Sequence, residues 1–310
     1  MPDPIRSPDP IRSMDAHSAL YFGETRDHWW HESQLERLVA GWKIPGAPTV
    51  LDVGCGVGHW GRLLARFLPG SQVVGVDREP RWVAIATERA EKERLGPRFK
   101  YQVATAEDLP FSDASFDLVT CQTVLMHLAD ADRGLQEMVR VLKPGGHLIV
   151  AEPTNLLQTV KDALVLCWPL HDVTALLVFA LTCLQGKRTL QEGDDLIGER
   201  LPQLLLRAGL VELDIRINER ASVLAPPYEG DAQGAEVREL LDDAHDDVWI
   251  WSKETTRRYF LAGDGSPQDF DDHWARTRRL RQQVVDSIQR QTWCTTASGQ
   301  FYIACARKPG

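Results

Sequence analysis

An alternation of strand-like and helix-like segments between residues 49 and 153 constrains the fold most strongly. TVLDVG at 49–54 and QVVGVD at 72–77 are short apolar runs, and HWGRLLARFL at 59–68 between them has helical periodicity. The same rhythm continues in strands predicted at 99–104, 116–122 and 147–152 and in helices predicted at 80–95 and 131–142. This order predicts right-handed βαβ units in a doubly wound, mainly parallel α/β sheet.

The rest of the chain flanks or interrupts this core. PDPIRS occurs twice, at 2–7 and 8–13, and its prolines oppose regular structure, so Met14 is a candidate biological start. VELDIRI at 211–217 and the segment 299–308 resemble strands, so the sheet is completed only near the end. We therefore expect a disordered tail at 1–13, an N-terminal helical lid at 14–48, the core at 49–153, a helical cap insertion at 154–197, a core continuation at 198–223, a second helical insertion at 224–298, and the last core strand and tail at 299–310.

Charge limits the partners of the chain. Lys and Arg number 35 against 44 Asp and Glu, which gives a net charge of −9. An acidic chain is repelled by nucleic acid phosphates and by anionic lipid, so neither is an expected partner.

Location and membrane topology follow from other features. The six cysteines are scattered without a C-x-x-C pair, which favours reduced, mostly buried thiols, and the first residues lack the apolar run of a signal peptide. The apolar run at 173–184 follows another apolar run at 163–170. Because Pro169, His171 and Asp172 interrupt the combined run, we predict two short buried helices and no membrane span. We expect a cytoplasmic protein.

A glycine-rich turn follows the first strand. Gly54, Gly56 and Gly58 let the backbone approach a ligand closely at the start of a helix. Gly56 and Gly58 also begin a G-x-G-x-x-G dinucleotide fingerprint, so a nicotinamide cofactor is one alternative. Asp52, two residues before Gly54, would repel pyrophosphate and attract a cationic cofactor. A ribose-binding carboxylate is predicted at Asp77, but either cofactor has a ribose.

Four ordered motifs carry a family resemblance: LDVGCGVG at 51–58, VVGVD at 73–77, AEDLPFSDASFDLV at 106–119 and RVLKPGGHLIVAEP at 140–153. Together they resemble the seven-stranded S-adenosylmethionine-dependent methyltransferases, particularly the small-molecule branch similar to ubiquinone and menaquinone biosynthesis enzymes. The resemblance implies a sheet of order 3-2-1-4-5-7-6 with an antiparallel last strand. The helical cap insertions come from this chain's own pattern, and the one at 224–296 is a departure, because the family often has a short hairpin there. The resemblance also implies S-adenosylmethionine as cofactor and S-adenosylhomocysteine as product, in enzyme class EC 2.1.1.-.

The resemblance assigns the first cofactor contacts to the loops after the first two strands. Asp52 and Gly54 would hold the methionine end of the cofactor, and Gly56 and Gly58 would shape the same loop. Asp77 would bind the ribose diol.

The adenine contacts are implied further along the chain. Arg78 would lie beside the ring, and Ala106 and Glu107 would border its edge. The family usually has an aspartate where this chain has Thr105, so the contact to the adenine amine is left to a hydroxyl.

The methyl-transfer end is implied by residues from two regions. Gln122 and His127 would face the sulfonium and the acceptor, and His127 is the candidate general base, with packing as the alternative role. In the N-terminal segment, Tyr21 would cap the methionine group and Arg26 would pair with its carboxylate, unless this segment only packs on the sheet.

Neither histidine-containing cluster predicts a metal site. His28 and His31 lack a third ligand. The acidic run at 242–247 around His245 is typical of a solvated helix face that pairs with the basic segment at 273–283. Trp249 and Trp251 are candidates for a substrate cavity or for the core.

The expected function is methylation of an O, N or C nucleophile of a small, apolar specialised metabolite. A peptide side chain or carboxylate is the alternative acceptor, and a scaffold that binds the cofactor without catalysis is the alternative from another class. The apolar helices at 156–184 are consistent with either a substrate cap or a homodimer interface.

Overall fold

The computed structural model describes residues 24–156, 158–219, 222–297 and 299–310. The predicted tail at 1–13, Met14 and Tyr21 lie outside the described residues, so the expectations placed on them stay predictions.

The core is one seven-stranded sheet in the order β3-β2-β1-β4-β5-β9-β6. β1 to β5 run parallel, and β9 is antiparallel to both of its neighbours. With the separate ribbon β7–β8 set aside, this is the predicted order 3-2-1-4-5-7-6, and the fold class is confirmed. The strands are β1 Thr49–Val53, β2 Gln72–Asp77, β3 Phe99–Val103, β4 Phe116–Gln122, β5 Leu142–Pro153, β6 Val211–Ile217, β7 Ser222–Leu224, β8 Thr295–Ala297 and β9 Phe301–Arg307.

Helices cover both faces of the sheet and one of its edges. On one face Trp30 and Trp60 pack with Val50 of β1 and Ile303 of β9. The helices are α1 Glu32–Trp42, α2 His59–Ala65, α3 Pro80–Lys92, α4 Ala131–Val141, α5 Gln158–Val165, α6 Leu170–Thr189, α7 Leu201–Arg207, α8 Asp231–His245, α9 Lys253–Ala262 and α10 Phe270–Gln289, with 3-10 turns at Glu24–His28, Leu125–His127 and Ile197–Arg200. Because β1 is covered by apolar side chains on both faces, its sequence is a nearly continuous apolar run.

Helices α5, α6, α8, α9 and α10 form a cap with apolar clusters of its own. Helices α6 and α9 cross closely, because a Cβ atom on Gly186 would overlap the backbone carbonyl of Tyr259, and one on Gly263 would overlap that of Thr182. Glycine at both positions lets the two backbones touch. The cap is therefore a packed unit rather than a set of loops.

The apolar segment at 163–184 differs from the prediction in one respect. A break does occur at Pro169, but α6 begins at the next residue and is 20 residues long rather than short. Asp172 lies in its first turn, where a carboxylate stabilises the helix N-terminus, and it pairs with Arg276 at 3.0 Å. Among the described residues, no helix is long and apolar enough to cross a bilayer.

One further expectation is corrected. Residues 224–296 are not wholly helical, because β7 and β8 pair as a small antiparallel ribbon at the two ends of this insertion.

Charge pairing between α8 and α10 is confirmed. Arg281 pairs with Asp243 at 3.4 Å, and Arg278 pairs with Asp247 at 3.3 Å. Within the described ranges, no three His, Cys, Asp or Glu side chains come together as a metal site. No disulfide joins the cysteines of these ranges, and four of them are buried.

Candidate functional site

A cavity of about 760 Å³ lies between the carboxyl edge of the sheet and the cap. In open parallel sheets, ligands bind in the crevice outside the carboxyl ends of the strands, where the strand order reverses. Here that place is at β1 and β4, and the cap covers it. The cavity is large enough for a cofactor and a second molecule side by side.

The glycine loop after β1 takes backbone conformations that favour glycine. Gly54 has φ +65° and Gly58 has φ +76°. A Cβ atom on Gly54 would also overlap the side chain of Val124, so the loop and the turn after β4 touch here. These glycines bring the backbone against its neighbours and leave Gly54 in the cavity wall.

Asp77, at the end of β2, is buried and lines the cavity. Its Oδ2 accepts the N–H of Gly56 at 2.8 Å, and its Oδ1 accepts the N–H of Glu79 at 2.9 Å. Burial raises the pKa of Asp77, and these two hydrogen bonds oppose that rise. Asp77 thus has a second role that the sequence did not suggest, because it holds the glycine loop in place.

Asp52, in β1, is buried and contacts α2. Its Oδ2 accepts the N–H of Gly61 at 2.9 Å, and the side chain is only 1% exposed. Burial raises its pKa to about 7, partly opposed by the Gly61 hydrogen bond. Like Gly56 and Gly58, Asp52 is not among the described residues that line the cavity. The hydrogen bond to Gly61 fits a role for Asp52 in supporting the glycine loop.

The other predicted site residues come together in the cavity wall. They are Arg26, Gly54, Asp77, Arg78, Thr105, Ala106, Glu107, Gln122 and His127. Gln122 is 5% exposed, and its Nε2 has no hydrogen-bond partner within the described ranges. An amide donor buried without a partner is costly, so a ligand acceptor at Gln122 would be favourable.

Arg26 reaches the sheet edge from the N-terminal 3-10 turn. Its guanidinium donates to Thr123 Oγ1 at 2.7 Å and lies over the ring of Trp29, 4.9 Å from its centroid. The described part of the predicted lid therefore presents a cation to the loop after β4. That place fits a carboxylate of a bound ligand.

The turn Leu125–His127 is held from below by Glu152, a fully buried residue of β5. Glu152 Oε1 accepts the N–H groups of Val124 at 2.9 Å and Leu125 at 2.8 Å. Burial raises the pKa of Glu152 to about 7, although these hydrogen bonds oppose the rise. Nothing in the sequence pattern points to this role, because Glu152 lies inside an ordinary strand pattern.

The cap contributes an apolar wall to the cavity. Trp249, Trp251 and Trp293 line it, together with Leu224 of the β7–β8 ribbon. Trp249 stacks on Phe179 of α6 with a ring separation of 5.1 Å. Because rings that are already packed against neighbouring side chains lose little freedom when a ligand binds, this wall fits a flat or bulky apolar molecule.

Comparisons with known proteins find that this chain is similar to methyltransferases. Residues 51–150 match the family model of a methyltransferase domain. The methyltransferase GfsG of Streptomyces halstedii is 32% identical over 184 residues, which cover 59% of this chain and 60% of that protein. The demethylmenaquinone methyltransferase of Thermus thermophilus is 42% identical over 103 residues, covering 33% of this chain and 46% of that protein.

The fold is also found in solved structures. The YcgJ protein of Bacillus subtilis aligns with a TM-score of 0.52 at 16% identity, covering 90% of this chain and 100% of that one. The family model matches residues 51–150, within the core, and the chain spans about half the length of the curated relatives it matches. The cap helices lie outside the residues that the family model matches.

Proposed function

We propose that this chain, which belongs to the S-adenosylmethionine-dependent methyltransferases, methylates a small apolar metabolite enclosed between the sheet edge and the cap. One observation carries the proposal: a single cavity is lined both by the predicted cofactor residues and by the tryptophans of the cap. A methyl donor and an apolar acceptor would thus share one closed space.

The residues present fit the cofactor. Asp77 offers a carboxylate to the ribose diol, and Thr105, Ala106 and Glu107 lie along the wall where the adenine would bind. Arg26 would pair with the methionine carboxylate. Asp52 and Glu152 accept hydrogen bonds from backbone N–H groups of α2 and of the turn after β4, so they would support the site. When bound, S-adenosylmethionine supplies a methyl group on a sulfonium that is already a good leaving group.

The chain's own contribution is alignment and exclusion of water. In-line displacement needs the nucleophile held near the methyl carbon in a dry site. The cap tryptophans exclude water and orient the acceptor, while His127 and Gln122 lie at the strand edge where the two ligands would meet. A cavity of this size lined by the cap tryptophans favours a small molecule over a peptide side chain, and an O, N or C nucleophile would each fit this arrangement.

The test is turnover with fractionated metabolites. Purified protein is incubated with S-adenosylmethionine and either an apolar small-molecule fraction or a peptide fraction of a cell extract, and S-adenosylhomocysteine is measured. We expect product only with the apolar fraction. Product only with peptides would support the alternative acceptor, and no product with either fraction would support a non-catalytic scaffold.

A further inference from the structure

A buried ion pair lies in the cap beside the candidate active site. Lys187 of α6 and Asp195 are 1% and 4% exposed, and the Lys187 ammonium donates to Asp195 Oδ1. Removing two charges from water costs several kcal/mol per ion, and a well-packed apolar pair often serves stability equally well. A buried pair at the wall of a ligand cavity is therefore a candidate for a role in chemistry.

The pair lies directly against the turn that carries His127. The N–H of Asp194 donates to the carbonyl of Met126 at 2.9 Å, and Lys187 Nζ lies 3.5 Å from the same carbonyl. A Cβ atom on Gly193 would overlap Met126, so the segment before Asp195 packs backbone to backbone on this turn. Asp195 is thus fixed next to the predicted methyl-transfer end.

One carboxylate oxygen of Asp195 remains available. Asp195 lines the cavity, and Lys187 occupies Oδ1, but no donor in the described ranges bonds Oδ2. The backbone carbonyl of Asp195 accepts Asn155 Nδ2 at 3.2 Å, which helps to fix the residue. The result is a rigid hydrogen-bond acceptor in the cavity wall, in contact with the turn that carries His127.

We propose that Asp195 Oδ2 binds the acidic hydrogen of the methyl acceptor, a phenol or enol hydroxyl, and takes its proton during methyl transfer. The proposal rests on the proposed function. The acceptor oxygen forms a bond to the methyl carbon, the carbon–sulfur bond breaks with its electron pair going to sulfur, and the hydroxyl proton moves to Asp195. Lys187 stays protonated throughout, and the Asp195 proton later passes to water.

The electrostatics of the pair suit a base. Burial raises the pKa of Asp195, while Lys187 lowers it. The carboxylate therefore has a greater proton affinity than an exposed aspartate would have, although its ion pair with Lys187 opposes protonation. A base whose pKa lies nearer the working pH transfers protons more effectively.

The experiment uses two probes that differ only in the hydrogen concerned, 2-naphthol and 2-methoxynaphthalene. Their dissociation constants are measured by calorimetry on the full chain saturated with S-adenosylhomocysteine. A hydrogen bond to a charged group is stronger than one between neutral groups, so we expect the wild-type protein to prefer 2-naphthol at least about tenfold. We expect Asp195→Asn to reduce this preference about fivefold, because the amide oxygen is a weaker acceptor.

A second variant removes the carboxylate without leaving the Lys187 charge buried and unpaired, so the protein is expected to fold. Lys187→Met with Asp195→Leu replaces the pair by apolar side chains of similar size, and we expect equal affinity for the two probes. Asp117→Asn is the matched control, because Asp117 accepts from Thr49 and Lys143 and is not among the described residues that line the cavity. We expect this variant to keep the preference for 2-naphthol. The proposal is overturned if the wild-type protein binds neither probe or shows no preference, if both Asp195 variants keep it, or if Asp117→Asn loses it as they do.

Binding of S-adenosylhomocysteine is measured first in each variant. If the wild-type protein binds it and the probes show no preference, the proposed function stands and only the role of Asp195 fails. If the wild-type protein does not bind it, the proposed function itself fails.

Discussion

Asp77→Ala is expected to weaken the binding of S-adenosylhomocysteine at least about 100-fold, measured by titration calorimetry. The variant loses the carboxylate that would accept the ribose hydroxyls, and each hydrogen bond to a charged group is worth about 1.5–3 kcal/mol. It also frees the N–H of Gly56, which Asp77 holds at 2.8 Å, so the glycine loop loses an anchor. The two losses act on the same ligand and add to each other.

Two further variants separate the ribose contact from other effects of the substitution. Asp77→Asn keeps an oxygen for Gly56 but offers the ribose only one acceptor, so we expect an intermediate loss of affinity. Asp117→Asn changes a carboxylate at the opposite end of the sheet, where Asp117 accepts from Thr49 and Lys143. Its affinity should match that of the wild-type protein. If Asp77→Ala binds as tightly as Asp117→Asn, the ribose assignment is wrong.

Asp52→Asn is expected to flatten the dependence of stability on pH. The pKa of Asp52 is about 7 in the folded chain against an ordinary 3.8. Between these values the folded state keeps a proton that the unfolded state has lost, so the free energy of unfolding falls as the pH rises from about 4 to about 7. Each pKa unit corresponds to about 1.4 kcal/mol. From pH 5 to pH 8, the wild-type protein should therefore lose about 2–3 kcal/mol more than the variant.

The measurement is urea unfolding at both pH values. Glu152 also has a raised pKa, so some fall remains in Asp52→Asn. Asp117→Asn serves as the control, because burial of Asp117 is outweighed by its hydrogen bonds and its pKa is lowered. The difference in unfolding free energy between Asp117→Asn and the wild-type protein should therefore be the same at pH 5 and at pH 8. Equal pH slopes in Asp52→Asn and the wild-type protein would show that Asp52 is ionised in the fold.

The sequence predicted the core well because the core is specified locally. Apolar strand runs, amphipathic helices and the glycine turn repeat at short spacing, and the topology of βαβ units leaves few alternatives. The carboxyl ends of β2 and β4 can also be located from the sequence. The pattern therefore predicts Asp77, Gln122 and His127 at the sheet edge, and these residues lie in the cavity wall there.

The cap could not be predicted to the same depth, since its chemistry depends on contacts between distant residues. Lys187 ends an apolar helix and Asp195 follows in an acidic stretch, and only tertiary packing buries them as a pair. The ribbon pairs Leu224 with Thr295, which lie at the two ends of the second insertion and are far apart in the sequence. Asp52 also shows the limit of motif reasoning, because its position in the motif does not tell whether its side chain faces the ligand or α2.

The central claim is that cofactor and acceptor meet inside one cavity under the cap. A crystal structure of the chain with S-adenosylhomocysteine tests it most directly. The account predicts the ribose diol on Asp77, the adenine along Thr105 to Glu107, and the sulfur turned towards His127 and the cap tryptophans. A ligand bound elsewhere, or a sulfur that faces away from the cap, would contradict the account.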